Sequence, residues 1–452
     1  MRGTPHRKNG LGVLGVVVAA LLFGTPAGAE IPGLTGTSFS LVATSGYIQN
    51  GDGNNLFFWG FADGNPPSGS MQVQYPGPTL IVNQGATVTV TLTNWLAEPV
   101  SLVFPGMENV TAVNPLGGGG IRGILAWEAP PGGGAVTYTF TAARPGTFYY
   151  QSGTNLDKQL EMGLFGAIIV RPAGFDNTVP ANRTAYGDNT SRFDREYLIL
   201  LSEMDDRYHN QVEAGQPIDT TTFFPTYWFM NGRNSPDAMA EPNAPSLPAQ
   251  PYNALPMMHP GERVLVRIVD AGRDQHPWHT HANHSLIVAW DGMPLTSDAA
   301  NFAALGPDLA EFAFSVMAVP GRTSESIYEW TGKNLGWDVY GNPNDNVTAH
   351  TCSDGNGDGF DDTTFEWCAD HGKLIPVAIP DQKEWDPGPF YSGSPFLGVT
   401  DDLAPGKGNL NTNGSFFQIW HSHAEKEMTT NDVFPGGMMT FMVVVHPGIP
   451  IP

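Results

Sequence analysis

Cysteine is nearly absent: Cys352 and Cys368 are the only two in 452 residues. In an exported chain a pair this close reads as a disulfide, with 15 residues between its ends and roughly 3 kcal/mol of chain-entropy stabilisation. Mechanisms that need a free thiolate start at a disadvantage. Basic residues are also scarce, 21 Lys and Arg against 44 Asp and Glu, for a net charge of −23. Such a surface repels nucleic acid and anionic membranes. The apolar run Leu11–Phe23 has 13 residues, short of the roughly 20 that a membrane helix needs, and no later stretch is long enough to span. Histidine is missing altogether from residues 31–175.

That short apolar run follows Arg2, Arg7 and Lys8 and precedes Ala27-Gly28-Ala29. Residues 1–29 therefore read as a Sec-type signal peptide, and the mature chain as periplasmic or secreted. ATVTVTLTN and AVTYTFTA alternate apolar and Thr positions, the period of half-buried antiparallel strands. FGAIIVRP, REYLILLSEM, ERVLVRIVDA and MMTFMVVVHP are short β-branched runs bounded by Gly, Pro or charge, as in strands covered on both faces. Only SDAANFAALGPDLAEF suggests a short helix. The pattern predicts an all-β chain of sandwiches. The expected units are residues 30–175, a turn-rich linker at 176–196, and residues 197–452 with an irregular insertion at 340–415.

The histidines are concentrated. QHPWHTHANH holds His276, His279, His281 and His284, and WHSHAEKE holds His421 and His423. Residues i and i+2 of a strand share a face, so each segment offers a ready pair of imidazoles. If the two strands are neighbours, His279, His281, His421 and His423 converge as ligands for Cu, Zn, Ni or Fe. The alternative is a set of structural or solvated histidines. MMTFMVVV invites a copper reading through Met438, Met439 and Met442, but it reads better as a core strand.

HPWHTHANHSLIVAWDG and WHSHAEKEMTTNDVFPGGMMT resemble the multicopper-oxidase motifs, with further similarity in YPGPTLIVNQGATVTVTLTN, GTFYYQSGTNLDKQLEMGLFGAIIVRP and YWFMNGRNSPDA. The resemblance spans most of residues 45–445. It implies two cupredoxin-like Greek-key sandwiches, as in two-domain laccases and copper nitrite reductases, with copper binding and oxidoreductase activity. By motif position, His279, His281, His421 and His423 match cluster ligands, while His276 matches a blue (type 1) copper ligand and His284 is a weaker candidate. Departures are plain. Ser422 replaces the type 1 thiolate, Glu427 lies where a second type 1 His is usual, and the first unit supplies no His. A hydroxyl cannot replace the Cys sulfur of a blue site. What remains is half a cluster, enough for one mononuclear copper. If the chain is an enzyme, it is an oxidoreductase acting on a small molecule or metal ion, with no catalytic residue assigned. The alternative is a non-catalytic metal-binding or scaffold protein that kept the fold. A homotrimer, or a partner that completes the His face, is the candidate assembly.

SDGNGDGFDD places Asp354, Asn356, Asp358, Phe360 and Asp362 at the alternate positions of a calcium loop, with Gly359 at the turn. The terminal bidentate Glu is missing, with Glu366 or Asp361 as substitutes, and the two cysteines bracket the loop. A bound calcium here would be structural; the alternative is a solvated acidic loop.

Overall fold

The computed structural model describes residues 31–67, 69–113, 121–331, 336–340, 349–373, 416–447 and 449–451. The expected signal peptide and most of the expected insertion lie outside these residues. In the N-terminal half, Thr87–Asn94 alternates as the sequence predicts. Val88, Val90 and Leu92 are fully buried and face Phe140, Tyr138 and Val136 of the antiparallel strand Gly134–Thr141. On the outer face, Thr91 Oγ1 and Thr137 Oγ1 lie 3.0 Å apart. Those strands belong to a six-stranded sheet that includes Ser38–Gln49 and Asn55–Asp63. It packs on a four-stranded sheet built around Leu80–Asn83, Phe165–Arg171 and Gly146–Gln151. Each buried Val, Leu or Phe contributes about 1.5–3 kcal/mol relative to exposure.

The C-terminal half repeats the plan. A seven-stranded sheet contains Arg195–Met204, Arg263–Asp270, Thr323–Glu329 and Ser285–Trp290. A five-stranded sheet has the order Met257–Met258, Met439–Val444, Phe416–Ser422, His276–Thr280 and Ser315–Ala318. Between them lie Trp228, Trp278, Trp330 and Trp420 with Met438 and Met442, so two of the three candidate methionines are core; Met439 is half-buried opposite His421.

The halves dock through a shared apolar cluster that joins Val42, Phe58, Tyr75, Tyr149 and Phe165 to Leu200, Met204, Tyr227, Phe229 and Val269. Beside it runs a buried ionic chain: Arg171 pairs with Glu196, Glu196 with Arg267, and Arg267 with Glu325, which also accepts the Thr147 N–H. Residues 185–193 pack against the second half, where Ala185, Tyr186 and Phe193 meet Leu265, Val288 and Ile327. The segment read as a linker is thus held in place by buried side chains.

Two helical details differ from expectation. The expected helix is one turn, Phe302–Leu305, after a 3-10 turn at Ala299–Asn301. A longer one, Asp206–Glu213, was not foreseen; Asp205 caps it by accepting the Arg207 N–H, and Tyr208 and His209 are buried. The expected disulfide is present, joining Cys352 and Cys368. Among the described residues no helix is long and apolar enough to cross a membrane.

Candidate metal centre

Strand alternation divides the histidines between two environments. Trp278 pairs with Ser422 and His279 with His421 across the antiparallel ladder, and directly opposed residues share a face. Trp278 and Trp420 enter the core. His279, and beyond it His281, point the other way, toward His421 and His423. Ala282 then turns the chain with φ 75°.

On this outward face the imidazoles gather. The His279 ring centroid lies 5.0 Å from His281, 5.4 Å from His421 and 4.9 Å from His423, and His281 lies 5.3 Å from His421. One ring nitrogen from each of His279, His281 and His421 falls within 4.8 Å of the others, and the His281 and His421 Nε2 atoms are 3.3 Å apart. His423 sits at the edge, exposed. His284 is set apart, its ring against Phe314 at 5.7 Å.

Second contacts orient two of these rings. His279 Nδ1 lies 2.7 Å from the Phe314 carbonyl, and His421 Nδ1 lies 2.7 Å from the Ser422 carbonyl. A carbonyl only accepts, so both Nδ1 atoms carry hydrogen, and in the neutral rings Nε2 keeps its lone pair. Burial, then the neighbouring imidazoles, push His279 down to about 4; burial also lowers His421. Neutral rings with oriented lone pairs are what metal ligation requires. Phe314, whose ring lies 4.2 Å from that of His279 and 5.9 Å from that of His423, is 52% exposed.

The inward face holds His276, which by motif resemblance matches a blue copper ligand. His276 is fully buried between two carboxylates, Nδ1 at 2.9 Å from Glu427 Oε2 and Nε2 at 3.0 Å from Glu203 Oε2. Ser422 donates its hydroxyl to the same Glu427 oxygen at 2.5 Å. Glu203 also accepts the N–H groups of Arg273 and Asp274. Burial works against an imidazolium here, but hydrogen bonds and charge from Glu203 and Glu427 outweigh it and hold His276 well above its ordinary value. Burial, with Glu203 adding to it against the opposing pull of His276, pushes Asp270 up to about 7. Both nitrogens of His276 are therefore taken, and the chain places it away from the outward cluster. Glu203, 73 residues earlier, was not singled out from sequence. Glu427 was, as the occupant of a lost ligand position, but not its bond to Ser422.

The acidic loop folds on itself. Asp354 accepts the N–H groups of Gly357 and Gly359 at 2.6 and 2.9 Å, Asp358 accepts that of Phe360 at 2.8 Å, and the Asn356 amide reaches Asp362 at 3.2 Å. The two suggested substitutes have partners of their own. Asp361 accepts the N–H groups of Ser353, Thr363 and Thr364, and Glu366 faces two histidines.

A family model described as multicopper oxidase matches residues 64–174, within the half that has no histidine. An iron transport multicopper oxidase from Epichloe festucae is 30% identical over 229 residues, 50% of this chain and 31% of that protein. A laccase from Cryptococcus neoformans is 27% identical over 257 residues, 53% of this chain and 37% of that protein. The chain thus spans about a third of the length of these curated relatives. The blue copper oxidase of Nitrosomonas europaea shares the fold with a TM-score of 0.52 at 18% identity, covering 90% of this chain and 85% of that one. With its all-β architecture and these relationships, the chain is a multicopper-oxidase-like protein of cupredoxin-type fold.

Proposed function

We propose that this is an exported copper-binding protein whose outward face holds one copper through His279, His281 and His421, with His423 at its edge, and that it has no type 1 electron-entry centre. The observation that carries this reading is the convergence of three ring nitrogens within 4.8 Å, with the Nδ1–H of His279 and His421 tied to carbonyls. Three imidazoles are a fitting donor set for copper. When bound, copper would supply one-electron redox chemistry. The protein's own part is to hold the rings neutral and aimed, and to leave one side open beside exposed His423 and Phe314. With the carboxylate clamp in place of a relay, a reductant, whether a small molecule or a metal ion, has to meet that open face directly. Export rests on the signal-like residues 1–29.

The clamp itself favours a second reading, a non-catalytic metal-binding or scaffold protein, since Ser422 and Glu427 together remove the thiolate and a ligand from the blue site. Metal analysis with EPR, on protein purified without added metal, separates the two. About one copper per chain with a type 2 spectrum, lost in His279→Ala, supports the mononuclear site; no transition metal even after copper loading leaves the scaffold. We also propose structural calcium at Asp354, Asn356, Asp358, Asp362 and the Phe360 carbonyl. Its check is a rise in melting temperature with calcium that Asp358→Asn abolishes; an unchanged melt refutes it. Exposed Phe314 beside the His cluster supports an assembly in which a second chain covers it, a homotrimer in the simplest case. Light scattering that returns only monomer would sink that proposal.

A further inference from the structure

Four side chains outside the His279 face converge in the second half of the chain. His350 Nε2 lies 3.1 Å from Glu366 Oε2 and 3.6 Å from Asp338 Oδ1; His371 Nδ1 lies 3.1 Å from Glu366 Oε1 and 3.7 Å from Asp338 Oδ2. One ligand atom from each of the four falls within 4.8 Å of the rest. The side chains of Asp338, Glu366 and His350 are 0%, 1% and 4% exposed, and that of His371 is 29% exposed. The two imidazole rings stand nearly perpendicular, 4.8 Å apart.

We infer that Asp338, His350, Glu366 and His371 form a divalent transition-metal site of zinc type, separate from the copper candidate and from the acidic loop. Tetrahedral bonds of about 2.0–2.2 Å set neighbouring donors about 3.3–3.6 Å apart, and the four nitrogen–oxygen separations bracket that range. Two imidazoles with two carboxylates make a neutralising donor set for a 2+ ion. Asp338 is oriented for the task, because its two oxygens accept the N–H groups of Tyr340 and Gly372 at 2.9 and 2.6 Å. Such outer contacts are typical of ligating carboxylates.

The placement says what the ion would do. Asp338 stands between Trp337 and Val339, both in the core of the second half. Glu366 lies within the loop closed by Cys352–Cys368, and His350 and His371 flank it on either side. There the only described ladder is the two-residue pairing of Phe360–Asp361 with Glu366–Trp367. Little backbone pairing secures that segment, so a metal joining it to Asp338 would anchor it on the sandwich, as structural metals do in small irregular units.

The test is Co²⁺ titration of the disulfide-intact full chain after chelator treatment, in a His279→Ala/His421→Ala background that silences the other cluster. The expected result is one equivalent with the intense visible absorption of a tetrahedral nitrogen–oxygen site, displaced by Zn²⁺ and weakened at least tenfold by His371→Ala. No such band, a weak octahedral-type spectrum, or a band indifferent to His371→Ala would overturn the inference. If the background variant does not fold, tight equivalents are counted in the wild type and in His371→Ala: loss of one supports the site, and an unchanged count overturns it.

Discussion

Replacing Glu427 by Gln tests whether the pocket around His276 works as a charged clamp. His276 is held at 2.9 and 3.0 Å by Glu427 and Glu203, all three being buried. Gln has the same shape, and its carbonyl can still accept the Ser422 hydroxyl. Its amide, however, leaves a single close carboxylate against the imidazolium. A hydrogen bond to a charged group contributes about 1.5–3 kcal/mol, while stranding a buried charge outright costs about 3–5 kcal/mol. Because Glu203 remains, the smaller figure applies, and the variant should lose about 2 kcal/mol near pH 6. The dependence on pH has a definite sign. A histidine whose folded-state value is raised adds stability that is complete below its ordinary value of about 6.5. That stability is lost as pH climbs through the raised value. Glu427→Gln lowers the raised value, so the cost of substitution is greatest near pH 6 and shrinks at alkaline pH, as the wild type loses the same contribution on passing its raised value. Urea unfolding of metal-free protein near pH 6 and at alkaline pH measures it. An equal cost at the two, or none at the lower, refutes the clamp.

Ser422→Cys alone, loaded with copper, should give no intense blue charge-transfer band, since Glu427 still occupies the position of a second histidine; Ser422→Cys/Glu427→His should give one. A blue single variant would show by its absorption spectrum that Glu427 is no obstacle. With His279 held down to about 4, the folded apo chain resists protonation there between about pH 6.5 and 4. Stability should fall across that window by up to about 3 kcal/mol at 1.36 kcal/mol per unit; His279→Ala should flatten the slope in a denaturant series, and an unchanged slope would remove His279 as its cause. Reducing Cys352–Cys368 should cost roughly 3 kcal/mol of loop order and expose residues 353–367 to limited proteolysis, while equal protease resistance before and after reduction would contradict this.

What could be read from the sequence follows from where the information lies. Val88, Val90 and Leu92 betray their strand because one face must be apolar, and His279 with His281 betray a shared face because two is the period of a strand. The helix Asp206–Glu213 left no such trace, as DRYHNQVE buries only Tyr208 and His209 and its cap is a single Asp. The Asp338, His350, Glu366 and His371 group is scattered along an irregular stretch, where spacing says nothing about which side chains meet. The inward pocket is the instructive intermediate case. Ser422 reads from sequence as a missing ligand, a defect at one position. In the fold it is one of four members of a single buried charge system: a serine hydroxyl and an imidazole share Glu427, and Glu203 closes the far nitrogen. Without the two carboxylates, buried His276 would lack partners for both nitrogens; without Ser422, Glu427 would lose the hydroxyl that helps fix it. Ser422 and Glu427 are therefore coupled, and a single reversion at Ser422 adds a thiol to a pocket whose imidazole is already committed elsewhere.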